Sequence, residues 1–172
     1  MTAPRLQPAE KERIAASPGW RAHRVEVFDT SIGRVIAKGQ RPLRSPTRHR
    51  VLNAIARLVG VPFLGAVPVH GGAQAQAVEI RRLQALHEAG VPVPRVLHVA
   101  HDHFIMGWLG ASHLAQLLSE RHPQAFALWR EGGQALVRVH AAGQYLSQCF
   151  GRNLIVDDRE GTPRFAGMID FE

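Results

Sequence analysis

Arg34-Val35-Ile36-Ala37-Lys38 is a short apolar run closed by one of only two lysines in the chain, the other being Lys11. All other basic side chains apart from histidine are arginines, so a lysine inside an apolar run calls for a chemical reason. The run predicts a strand, with Ile36 and Lys38 on one face and Val35 and Ala37 on the other. Residues 23–29 predict its partner, and Asp29-Thr30-Ser31-Ile32-Gly33 between them has the turn chemistry that closes a hairpin. A lysine on the buried-leaning face of such a strand is costly unless its ammonium meets an anion.

The anion is offered further along. A helix is predicted from about residue 74 to residue 88, stopped by Gly90 with Pro92 beyond. Glu79, Leu83 and Leu86 share one of its faces, so a carboxylate sits on the apolar stripe. Pairing Lys38 with Glu79 would resolve both mismatches. The alternative is an edge-strand lysine that snorkels to water and a glutamate at a helix margin.

Residues 95–100 and 103–108 predict a second hairpin around His101-Asp102, and Gly107 to Gly110 a hinge into helical sequence. Ser112 is placed to cap a helix carrying Leu114, Leu117 and Leu118. Pro123 is placed to open a longer helix to about residue 142, weakened in its middle by Gly132-Gly133. The last hairpin pairs residues 154–156 with 165–169. Asn153 directly precedes its first strand and Asp170 closely follows its second, so antiparallel pairing brings both to one open end. An amide oxygen and a carboxylate together suit Mg²⁺, which shares its coordination with water and phosphate oxygens. The alternative is a turn-capping asparagine and a solvated aspartate.

Composition sets the outer limits. At 172 residues with 45% hydrophobic content, the chain is sized for one ordinary domain or two small lobes. Its single cysteine, Cys149, excludes an internal disulfide. Cys149 with nearby His140 lacks an oxyanion-hole motif, and a partly buried free thiol is the expectation. The N-terminus has no apolar signal core, and the apolar stretch 51–69 is broken by Asn53, Arg57, Pro62 and Pro68; a cytoplasmic protein is expected. Residues 1–20, polar and carrying Pro4, Pro8 and Pro18, are expected to form a loosely ordered arm with at most one short helix. The net charge of +7 points to an anionic partner. Arg41, Arg44, Arg48, His49, Arg50 and Arg57 lie on or near an amphipathic helix predicted over about 47–59. They suit peripheral contact with an anionic membrane, against the alternative of a solvated arginine-rich insert. Aromatics, at 6%, do not interleave with the arginines as in a base-stacking platform, which argues against nucleic acid. His98, His101 and His103 cluster at a turn without the cysteines or carboxylates of a metal site.

The order of these features carries a resemblance. Strand lysine (Val35-Ile36-Ala37-Lys38), helix glutamate (Glu79), hinge (Gly107-Trp108), a long helix with Val139-His140-Ala141-Ala142-Gly143, Asn153, then Ile169-Asp170-Phe171 resembles the protein-kinase-like fold. Gly90-Val91-Pro92-Val93-Pro94 and the closing Ile169-Asp170-Phe171-Glu172 are most similar to bacterial lipopolysaccharide (Kdo) kinases. The resemblance spans residues 20–172. It implies an α+β fold, with an antiparallel-sheet N-lobe and helix over 21–107 and the beginning of a mainly helical C-lobe over 108–172. It also implies an ATP-dependent phosphotransferase acting on a hydroxyl of a small or lipid-linked acceptor such as a lipopolysaccharide sugar, peripheral to the inner membrane. In that class Lys38 would grip the ATP phosphates, Glu79 would orient it, Gly107 and Trp108 would border the nucleotide, and Asn153 and Asp170 would hold Mg²⁺.

Three departures accompany the resemblance. Gln148 stands where the family supplies its catalytic aspartate, and a glutamine cannot accept the acceptor's proton as a carboxylate does. A catalytically impaired pseudokinase is therefore the first alternative and a basic nucleic-acid-binding protein the second. No Gly-x-Gly-x-x-Gly phosphate loop precedes Lys38. The chain also ends at Glu172, directly after the metal-binding motif, which leads to the expectation of a fragment.

Overall fold

The computed structural model describes residues 5–42, 58, 71–146 and 149–171. Strand β1 (Val25–Thr30) turns at Ser31-Ile32 into β2 (Gly33–Gly39), with Val25 opposite Lys38 and Thr30 opposite Gly33. Gly33 has φ of 99°, a conformation that this tight turn needs and that side chains resist. Next in the described chain, helix α3 (Gly72–Glu88) leads to β3 (Val96–Val99) and β4 (His103–Gly107). These strands form an antiparallel four-stranded sheet in the order β1-β2-β4-β3.

Beyond Gly107 the chain leaves the sheet and builds a second one. The short β5 (Ser112–His113) pairs with β6 (Leu154–Asp157), which pairs with β7 (Arg164–Met168). Helices α4 (Leu114–Ser119) and α5 (Ala125–Ala141) intervene between β5 and β6. The architecture is therefore α+β, with two small antiparallel sheets among the described residues. None of the described helices is long and apolar enough to cross a membrane.

Alternation along β4 divides the core in two. Phe104 and Met106 face a large cluster with Leu83 and Leu86 of α3, Leu114 of α4, Val139 of α5 and Val156, Met168 and Phe171. Ile105 faces the other way and joins Val35 and Ala37 in a second cluster with Leu6, Ile14 and Trp20.

That second cluster corrects the expectation of a loose arm over residues 1–20. Helices α1 (Pro8–Ala16) and α2 (Gly19–His23) cover the outer face of the sheet. Burying side chains of this size contributes roughly 1.5–3 kcal/mol each towards the cost of ordering the segment. Polar contacts fix the placement. Glu10 accepts from the Ser31 N–H at 2.6 Å and the Gln7 N–H at 2.8 Å, Arg13 donates to the Asp29 carbonyl at 2.7 Å, and Trp20 Nε1 donates to the Ile14 carbonyl at 2.7 Å. Glu26 Oε2 accepts from Ser17 Oγ at 2.6 Å and from the Trp20 N–H at 2.9 Å.

Two further expectations differ from the structure. The cap of α4 is His113, whose Nδ1 accepts from the Gln116 N–H at 3.1 Å, whereas Ser112 is drawn into β5 and donates to Asp158 at 2.6 Å. Cys149 is exposed instead of partly buried. The helix expected over 47–59 lies outside the described residues except for Leu58, which is exposed.

Close backbone approaches join the two sheets. Met168 N–H donates to the Pro92 carbonyl at 2.9 Å, and a Cβ on Gly167 would lie 2.4 Å from that same oxygen. A Cβ on Gly110 would lie 2.3 Å from the Val156 carbonyl, so the segment after β4 can pass β6 only as glycine.

Candidate functional site

Lys38 lies at the inner end of β2, opposite Val25 on one side and Phe104 on the other. Its side chain is 7% exposed, and Nζ stands 2.6 Å from Glu79 Oε1 and 3.3 Å from Asp170 Oδ1. Glu79 is itself buried on α3, beside Ile80 and one turn before Leu83. Gln76, one turn earlier, donates to the carbonyls of Ala100 and His103 at 3.1 and 3.2 Å, which ties the start of α3 to the β3–β4 turn. Paired burial of this kind is stable only when both charges are met. Arg41 adds a second cation, with Nη2 3.9 Å from Asp170 Oδ1. The cluster therefore holds two cations and two carboxylates.

Asn153 and Asp170 lie at the open end of the β6–β7 hairpin. Leu154 pairs with Met168, and one step outward the Ile169 N–H donates to the Asn153 carbonyl at 3.0 Å. Asp170 then departs from the strand with φ of 69°, a left-handed conformation that aspartate adopts more readily than most residues and that stores strain. The next residue, Phe171, is fully buried in the main core, and its carbonyl accepts from Arg82 Nη1 at 3.1 Å. Anchors on both sides hold Asp170 with its carboxylate on the Lys38 ammonium.

An apolar cleft of about 460 Å³ lies between the two sheets. Its walls are Val27 and Ile36 of the first sheet, Gly107 to Ala111, Ile155 of β6 and Ile169 just beyond β7. Ile36 precedes Lys38 by two residues on the same strand face, a separation of about 7 Å. Ile169 directly precedes Asp170. The cleft is thus lined by near neighbours of Lys38 and Asp170 and by the segment that follows β4. Leu109 and Gly110 line the cleft. The volume falls in the range of small-molecule sites.

Trp108, just after β4, carries one guanidinium from β2 and one from the β6–β7 turn. Arg34 Cζ and Arg159 Cζ each lie 5.1 Å from an indole ring centroid. Arg159 is fixed by Asp157, which accepts from its Nε at 2.8 Å, and this contact pulls the Asp157 carboxyl down to about 2. The Asp-x-Arg spacing of Asp157 and Arg159 is the sequence signal for this pair. His103 pairs with Asp102 at 2.8 Å and stacks on Trp20 with ring centroids 4.6 Å apart.

Of the residues singled out in the sequence, Lys38, Glu79 and Asp170 are in direct contact, Asn153 adjoins them through the hairpin, and Gly107 and Trp108 border the cleft. Gln148 lies outside the described residues, as do Arg44, Arg48, His49, Arg50 and Arg57. Among the described residues no three His, Cys, Asp or Glu side chains gather as a closed metal cage. Asn153 and Asp170 are both oxygen donors at the open end of the β6–β7 hairpin. No protein-family profile, curated protein or solved structure matches the chain.

Proposed function

We propose that this chain is an ATP-dependent phosphotransferase of the protein-kinase-like class, acting on a hydroxyl of a small or lipid-linked acceptor such as a lipopolysaccharide sugar. The observation that carries the proposal is the buried Lys38–Glu79 pair with Asp170 on the same ammonium, together with an apolar cleft lined by Ile36 and Ile169, near neighbours of Lys38 and Asp170. A purely structural ion pair needs neither the cleft nor a third, partly exposed carboxylate in a left-handed backbone.

The chemistry follows from the arrangement. The purine would lie between Val27 and Ile36 above and Ile155 and Ile169 below, with the Leu109 backbone offering hydrogen bonds to its edge. The triphosphate would extend along β2 towards Lys38, where Glu79 holds the ammonium in place. Mg²⁺, held by Asn153 and Asp170, would neutralise charge on the phosphates during transfer. A catalytically impaired nucleotide-binding pseudokinase is favoured by Gln148 at the position of the expected base. The net charge of +7 and the arginine-rich segment support a cytoplasmic protein in peripheral contact with the inner membrane.

The test is a thermal-shift titration with ATP, with and without Mg²⁺, on the chain and on Lys38→Ala and Asp170→Asn. Binding at a hundredfold excess over Kd adds about 2.7 kcal/mol of stability. A Mg²⁺-dependent shift that disappears in Asp170→Asn supports nucleotide binding at this site. Phosphate transfer to a sugar acceptor then separates the enzyme from the pseudokinase. Absence of any ATP-dependent shift in the parent chain argues against both.

A further inference from the structure

A nucleotide in this cleft would need groups to hold its phosphates. No Gly-x-Gly-x-x-Gly run precedes Lys38. The β1–β2 turn cannot substitute, because it lies at the far end of the hairpin. Gly33 opens β2 beside that turn and Lys38 pairs with Val25 at the other end, a distance of about 17 Å along the strand.

Beside Lys38 stands a second cation. Arg41 Nη2 is 3.9 Å from Asp170 Oδ1, the same oxygen that Lys38 Nζ meets at 3.3 Å. The Arg41 side chain is 26% exposed, so its guanidinium borders the cluster and is not lost to solvent. The backbone around it is fixed independently of that side chain. Gln40 N–H donates to the Asp102 carbonyl at 3.1 Å, and the Gly72 N–H, at the start of α3, donates to the Arg41 carbonyl at 2.9 Å. Two like charges are thus gathered near one carboxylate oxygen. A divalent cation on Asp170 would compete with both for that carboxylate and favour an anionic ligand beside them.

We propose that Arg41 is a phosphate-binding residue of this cleft, taking the terminal phosphates of a nucleoside triphosphate together with Lys38, in place of the amides of a glycine-rich loop. A planar guanidinium grips two phosphate oxygens at once, whereas the lysine acts as a point charge, so the two cations are complementary. The proposal rests on the nucleotide-binding reading of the cleft. The test compares calorimetric Kd values for Mg-ATP and for adenosine in the parent chain, Arg41→Ala and Arg41→Lys. The expected result is Mg-ATP binding weakened on the order of tenfold or more in Arg41→Ala, partly restored in Arg41→Lys, with adenosine affinity unchanged in both. Adenosine affinity also reports that the variant has kept its fold. Equal weakening of both ligands, or unchanged Mg-ATP affinity, overturns the role of Arg41 while leaving the nucleotide site intact. A parent chain that binds neither ligand removes the nucleotide site, and the role of Arg41 falls with it.

Discussion

Replacing Lys38 with methionine removes the ammonium and keeps most of the side-chain volume. The Glu79 side chain, 3% exposed, would then lose its partner at 2.6 Å, and among the described residues it makes no other hydrogen bond or ion pair. Breaking a buried pair from one side costs about 3–5 kcal/mol. The Asp170 side is softer, because that side chain is 28% exposed and keeps Arg41 at 3.9 Å. Glu79→Leu is the milder single change, since Lys38 retains Asp170 at 3.3 Å; about 2 kcal/mol is expected. The double variant Lys38→Met/Glu79→Leu strands no buried charge. It should therefore be more stable than Lys38→Met alone, with a coupling of about 2–3 kcal/mol. Urea unfolding of the four proteins at neutral pH, analysed at a common m value, measures each step. Single effects that add to within about 0.5 kcal/mol, or a Glu79→Leu variant less stable than Lys38→Met, would refute the reasoning.

Two other outcomes follow from the structure. Ile14→Ala should destabilise the chain by about 2–5 kcal/mol in the same unfolding assay, because Ile14 is fully buried under the outer sheet face; a near-neutral effect would mean that α1 does not contribute to the core. The Asp157 carboxyl, held down chiefly by the Arg159 side chain, should titrate near 2 by ¹³C NMR and return to the ordinary carboxylate range in Arg159→Ala. Because its folded value is depressed, the stability it contributes is fully present above the unfolded value of 3.8 and is lost as pH falls through about 2.

The contact between Lys38 and Glu79 is legible in the sequence because each residue is a chemical misfit in its own local pattern, and two misfits of opposite charge point at each other. The approach of Asn153 and Asp170 is legible because antiparallel pairing fixes which ends of a hairpin meet. Asp170 on the Lys38 ammonium is a different matter. The two residues are 132 positions apart, and nothing in a local pattern records the left-handed turn that redirects the carboxylate. The N-terminal helices escape for a related reason: Leu6 precedes α1, Ile14 lies on it and Trp20 lies on α2, so no single helical period shows their shared face. The α4 cap depends on β5, a two-residue strand that exists only because β6 lies beside it. Trp108 shows the same limit, since its two arginines come from β2 and from the β6–β7 turn.

The most direct measurement is an NMR titration of the ¹⁵N-labelled chain with Mg-ATP, following the amides of Leu109 at the hinge and Asp170 at the charged end. A single nucleotide spanning the cleft should shift both amides along one binding curve, and Asp170→Asn should weaken both responses together. Amides that stay in place, or ends that respond with different affinities, would contradict a single nucleotide site built from the hinge, Lys38 and Asp170.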